Sequence, residues 1–183
     1  MKIIRQIACL LFCLMLAAPA VAEEPAKSTD FAGQLRLNMT SETVKAEVTV
    51  KTFVDGDTTH FNVPSDVSES GVLRARYLAV NTPEITGKVE EYGKKAAAFT
   101  REKLSGAASI IIESDDGKWN LDSTASRHLV WVWYRPQGTA DYRCLNLELL
   151  QNGLAIANST ARNRYGTTCM AALNQAKAEK LHL

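Results

Sequence analysis

The sequence predicts an α+β fold, mainly β: a small five-stranded barrel decorated with three helices. Three observations point there. Short apolar stretches of period two are separated by turn residues. The element order reads β-β-β-α-β-β-α-α, with no crossover helix repeating between strands as a parallel sheet would need. The strands are short and mostly hairpin-connected.

The elements follow in order. Lys2 and Arg5 precede an apolar run over residues 7–18, and "PAVAEE" then offers a small-x-small cleavage site after Ala22. Residues 1–22 are therefore expected to be a secretory signal, the alternative being an uncleaved anchor. The run is shorter than the roughly 20 residues of a membrane span. Residues 23–42 are polar and read as a flexible leader or a loose first element, and 43–183 as the folded domain.

From Val44 the chain alternates, with Val44, Ala46, Val48 and Val50 against Lys45, Glu47, Thr49 and Lys51, the pattern of a half-buried strand. "DGD" at 55–57 breaks it, and "TTHFNV" resumes as the second arm of a bent hairpin. A third strand is expected over 72–80, placing Arg74 and Arg76 on the face of Val72, Leu78 and Val80. Charge on such a face calls for a reason. "VEEYGKKAAAFTREKL" is helical, with Tyr92, Ala96 and Phe99 recurring at i, i+4, i+7. "SIIIES" and "HLVWVWY" are two further strands. "LNLELLQNG" is a short helix stopped by Gly153. "TTCMAALNQAKAEKL" is a last helix, with Thr167 or Thr168 as candidate N-cap.

Without residues 1–22 the chain carries 19 basic and 20 acidic residues, a net charge of −1. That excludes a strongly basic polyanion binder, so nucleic-acid contacts must come from local placement of charge. Cys144 and Cys169 are then the two remaining cysteines. In an exported chain one disulfide between them is expected, the alternative being two buried thiols. It would close a loop of about 25 residues, worth roughly 3 kcal/mol.

The phosphate-loop, HExxH and GxSxG motifs are absent. His60, His128 and His182 lie at no metal-ligand spacing. What remains is acidic and arginine-based: Asp55 and Asp57 at a strand bend, Arg76, Glu84 after "NTP", and Arg127 before "HLVWVWY". Carboxylates at loop tips can hold a hard cation, two arginines can clamp a phosphate, and a further carboxylate can take a proton from water. Those are the parts of metal-assisted phosphodiester hydrolysis. By spacing alone the signal is weak, and the preferred reading is a turn at "DGD", surface ion pairs for the arginines and a solvated Glu84.

"VDGDT" (54–58), "RYLAVNTPE" (76–84), "EYGKKAAAFTREKL" (91–104), "LNLELLQNGLA" (145–155) and "QAKAEKL" (175–181) together resemble the staphylococcal nuclease (thermonuclease) family, in order and over residues 48–183. The resemblance implies an OB-like five-stranded barrel with three helices and calcium-dependent hydrolysis of DNA and RNA. Carried over by position, Asp57, Asn81 and the Thr82 carbonyl match the Ca²⁺ ligands. Arg76 and Arg127 match the phosphate-binding arginines, and Glu84 matches the water-handling carboxylate.

Three positions depart from the family's pattern. Asn81 stands where an aspartate ligand is usual. Ala125 and Ser126 replace a Tyr-Gly pair before Arg127. Asn158 and Ser159 stand in the neighbourhood of further tyrosines, with Tyr165 the next ring downstream. The expectation is a secreted nuclease, periplasmic or extracellular, monomeric, free of the membrane once the signal is cleaved, with DNA and RNA as substrates. The alternative is a catalytically weakened OB-fold module that binds nucleic acid.

Overall fold

The structure is a computed structural model that describes residues 28–85 and 92–181. The signal expected over 1–22, the start of the leader, the first helical residues after Val89 and His182 lie outside the described residues.

A four-residue helix α1 (Phe31–Gln34) leads into β1 (Lys45–Phe53), β2 (Thr58–Asn62) and β3 (Val72–Tyr77). A two-residue strand β4 (Val80–Asn81) precedes α2 (Gly93–Ser105). Then come β5 (Ala107–Glu113), β6 (His128–Pro136), β7 (Arg143–Cys144) and α3 (Leu145–Gln151). The chain ends with β8 (Ile156–Ala157), a 3₁₀ turn at Thr160–Arg162 and α4 (Gly166–Ala178). The last helix starts at Gly166 behind Tyr165, earlier than the Thr167 or Thr168 cap expected, and Tyr165 makes no side-chain capping bond.

Five strands close a barrel. The ladder runs β3-β2-β1-β5-β6, and β3 pairs again with β6 to shut it. The closing pair is parallel, with Ala75 opposite His128, Arg76 opposite Leu129 and Tyr77 opposite Val130. The other four pairs are antiparallel. β1 serves both halves: residues 45–48 pair with β5 and 49–53 with β2, with a bulge between Val50 and Thr52 that bends the strand. Its alternation is as read, with Ala46 and Val48 buried between exposed Glu47 and Thr49. β6 is buried on both faces, with Val130 and Val132 on one side and Trp131 and Trp133 on the other. The two tryptophans meet the Tyr165 ring edge-on, at centroid distances of 4.9 and 5.7 Å.

The third strand is shorter than expected and differs in which residues face inward. Leu73, Ala75 and Tyr77 are buried, so Arg74 and Arg76 share the opposite face, where Arg74 is exposed and Arg76 is largely covered and paired with Asp57. The strand stops at Tyr77 and turns through Leu78 and Ala79. Ala79 sits at φ 66°, left-handed for a residue with a Cβ. Its carbonyl accepts the Asn158 N–H at 2.9 Å. Asn146 of α3, fully buried, secures the turn from behind. Its amide donates to Leu78 O at 2.9 Å and Val130 O at 3.2 Å, and its carbonyl accepts from Val132 N at 2.9 Å.

The "DGD" turn is positioned just as tightly. Val54 N and Asp55 N both donate to Thr58 O. Thr100 of α2 donates to Gly56 O at 2.6 Å. A Cβ on Gly56 would stand 2.8 Å from both Ala96 Cβ and Thr82 Cγ2, so the turn, α2 and the segment after β4 meet where only glycine fits.

Two expectations are corrected. Residues 28–42 are tied to the domain rather than loose. Arg143 grips Asp30 with two nitrogens, each at 2.8 Å, and reaches Glu148 at 2.5 Å. Gln175 bonds both the N–H and the carbonyl of Thr29. Cys144 and Cys169 are free thiols, not a disulfide. Both are fully buried. Burial pushes the Cys144 thiol well up, and burial, then Asp115, pushes that of Cys169 to about 12. The loop between them is held instead by Tyr165, packed on the two tryptophans and donating to Glu113 at 3.1 Å.

Two predictions follow from these contacts. Hydrogen bonds from Arg143, against a smaller cost of burial, and then from Gln151 and Gly33 hold the Asp30 carboxyl down at about 2. Its side chain is half exposed, so solvent screening limits its contribution to about 1 kcal/mol. Asp30→Asn should lose that amount at pH 7. Urea titrations should show the gap to wild type closing as pH falls from the ordinary carboxylate range through about 2, because a depressed pKa stabilises only above it. Gly56→Ala should cost about 2 kcal/mol by overpacking against Ala96 and Thr82, read as a lower thermal midpoint.

Candidate active site

Strand register assembles the site. The antiparallel β2–β3 pair puts Thr58 opposite Arg76, and Tyr77 N donates to Asp57 O at 2.9 Å. Asp57, at the end of the tight turn, is thereby fixed beside the arginine. In a continuous strand Asn81 would lie about 16 Å beyond Arg76 and on the other face. The turn at Leu78–Ala79 brings it back, so Arg76 Nη2 donates to Asn81 Oδ1 at 2.6 Å. The parallel β3–β6 pair sets Arg127, just before β6, alongside the same end of β3.

Asp57 is the hub. Its Oδ2 forms an ion pair with Arg76 Nη1 and accepts the Thr82 N–H at 2.7 Å. Its Oδ1 accepts from Thr58 Oγ1 at 3.1 Å. The Asp57 N–H in turn donates to Asp55 Oδ1 at 3.1 Å, which makes Asp55 the residue that shapes the turn from behind. The ion-paired side chains of Arg76 and Asp57 are only 11% and 5% exposed. Burial pushes the Asp57 carboxyl up to about 6, against the downward pull of Arg76 and the Thr82 amide.

Arg76 and Arg127 open into one cavity of about 330 Å³, whose wall includes Asp122, Asn158, Ser159 and Asn163. Asp122 is a residue that sequence reasoning missed. It takes Arg127 Nε at 2.7 Å. It also caps its own loop, accepting from Thr124 N, Thr124 Oγ1 and Ser126 N. Against the opposing effect of burial, the bonds from Thr124, Arg127 and Ser126 hold the Asp122 carboxyl far below the usual carboxylate range. An aspartate heading the Ser- and Thr-rich run "DSTAS" was the available signal.

Glu84 does not line the cavity. It is exposed on the segment after β4, where its carbonyl packs against Gly93 at the start of α2. Tyr165 faces the barrel tryptophans and Glu113, so it does not replace the missing rings. The cavity wall beside Arg127 carries the polar residues Asp122, Ser123, Asn158, Ser159 and Asn163.

The oxygens expected for calcium are of the right chemical kind, a carboxylate, an amide carbonyl and a backbone carbonyl. In this arrangement they do not fit a divalent cation. One guanidinium already spans Asp57 and Asn81. Among the described residues no group of three or more His, Cys, Asp or Glu side chains is placed to hold a metal.

The family described as staphylococcal nuclease homologue matches residues 74–183. That span holds Arg76, Asn81, Thr82, Glu84 and Arg127, while the turn bearing Asp57 precedes it. The barrel, the helices that cover it and the match over more than half of the sequence agree: this chain belongs to the staphylococcal nuclease homologue family.

Proposed function

We propose that this protein is a secreted nuclease that hydrolyses phosphodiester bonds of DNA and RNA with little sequence preference. The observation that carries the reading is the pair of arginines, Arg76 and Arg127, at one cavity of about 330 Å³, room for a phosphate and part of its sugar. Membership of the nuclease family supports it. The basic start, apolar run and AVA site of residues 1–22 support export. The reading takes the chain to act as a monomer.

The chain's own residues account for these steps. Arg76 and Arg127 bind the non-bridging phosphate oxygens. A guanidinium offers five N–H donors, so Arg127 keeps donors for phosphate while Asp122 holds its Nε and fixes its plane. The same contacts offset the negative charge that builds on the phosphate in the transition state. Glu84, on the exposed segment, takes the proton of the attacking water. Calcium is the cofactor typical of the family. Arg76 occupies the side-chain oxygens it would take.

A second reading, a nucleic-acid-binding module without efficient hydrolysis, is favoured by one observation: both cavity arginines are already paired with carboxylates, Arg76 with Asp57 and Arg127 with Asp122. The two readings separate on denatured DNA incubated with Ca²⁺ and then with EGTA. Cleavage under either condition supports the nuclease, and retention of DNA without cleavage supports the module. Under the first reading, Glu84→Gln and Arg76→Ala should each lower turnover by about 10²–10⁴-fold while circular dichroism shows a folded barrel. Full activity in either variant would remove that residue from the mechanism.

A further inference from the structure

Of the two arginines on β3, the cavity uses Arg76 and leaves Arg74 exposed. Strand register gives Arg74 basic neighbours on both sides. Opposite it on β2 is His60, which in turn faces Thr52 on β1. Lys51, the extra residue of the bulge between Val50 and Thr52, stands next to that row and is exposed. On the other side Ala75 pairs with His128, and Arg74 and Arg127 each lie one residue before that pair. Lys51, His60, Arg74 and Arg127 thus cross β1, β2, β3 and the start of β6. At about 4.8 Å per strand the row is about 14 Å long, and its Arg127 end is the cavity.

The charge of this row is uncompensated beyond Arg127. Arg76 and Arg127 each have a carboxylate, whereas among the described residues Lys51 and Arg74 form no ion pair. Burial, then Arg74, then Lys51 push the His60 imidazole below its ordinary value, and no carboxylate counters them. Cations held side by side repel, and an anion among them removes that cost. The row is a local feature, since without residues 1–22 the chain's net charge is −1. Its surroundings are polar: Thr49, Thr52 and Asn62 are exposed beside it. The large apolar side chains that are exposed, Met39, Leu121, Ile156 and Met170, all lie off β1, β2 and β3. A lipid surface would find no apolar anchor there.

We propose that Lys51, His60 and Arg74 form a second anion subsite, which holds the phosphates of a single-stranded polynucleotide that flank the one in the cavity. Lys51 and Arg74 bind as charges, and His60 adds a ring N–H donor. The inference rests on the phosphodiester reading of the cavity, but it does not require that hydrolysis follow.

The test is fluorescence anisotropy with labelled phosphorothioate thymidylates, chosen to resist cleavage: an octamer long enough to follow the row and a dimer that reaches only the cavity. The doubly substituted Lys51→Gln/Arg74→Gln protein should bind the octamer about tenfold more weakly than wild type, with the slope of log affinity against log salt reduced by about 1. The dimer should weaken far less, because the row is screened from the cavity at physiological salt. Arg74→Lys, which keeps the charge, should recover most of the loss. Equal octamer affinity and salt slope in wild type and the double variant would overturn the proposal, as would a wild type that binds octamer and dimer alike or binds no octamer. Row-dependent binding of phosphatidylglycerol vesicles without any effect on the octamer would also overturn it. Row-dependent octamer binding by a protein that cleaves no DNA or RNA keeps this inference and loses the nuclease reading. Cleavage with octamer binding indifferent to the two substitutions does the reverse.

Discussion

The Asp57 carboxylate joins three pieces of chain that are distant in sequence. It closes the β1–β2 turn through Thr58, holds the backbone after β4 through the Thr82 N–H, and anchors β3 through Arg76. Its burial makes each of these contacts count: an unpaired buried carboxylate costs several kcal/mol. The neighbouring packing exists to make those contacts possible. Gly56 lets the turn approach Ala96 and Thr82, and Asn146 holds the bend that returns Asn81 to Arg76. The barrel closure then sets Arg127 beside the same strand end.

Charge in the site is balanced within the protein. Each cavity arginine has its own carboxylate, one deep and one at the rim. Such pairs hold the guanidinium groups in place before a ligand arrives, and they also mean that a ligand must compete for them. This is a different solution from a cluster of acidic side chains that waits for a metal. It also gives Asn81 a defined partner, since its amide oxygen accepts from Arg76 without adding a further carboxylate beside Asp57 and the buried Asp55.

Much of this was legible in the sequence because local patterns carried it. Period-two alternation marked β1, and "DGD" marked the turn. The run "HLVWVWY" marked a further strand. The misreadings have physical reasons. The strand over 72–80 looked continuous because Ala79 is an ordinary residue, and only tertiary contacts from Asn146 and Asn158 hold it in a left-handed bend. The same bend is what brings Arg76 and Asn81 together. Residues 28–42 looked loose because their partners, Arg143, Gln151 and Gln175, lie more than 110 residues away. The two cysteines suggested a bridge by number and compartment, whereas the structure buries them as small apolar side chains. Asp122 was missed because its importance lies in whom it holds rather than in any motif.

The buried Asp57–Arg76 pair organises the site. A double-mutant cycle on folding stability, with Asp57→Asn, Arg76→Gln and the two combined, tests it most directly. A coupling of about 2 kcal/mol is expected, with the double variant more stable than the sum of the single losses implies. Additive losses, with coupling near zero, would mean that the two side chains are neighbours without being partners, and would contradict it.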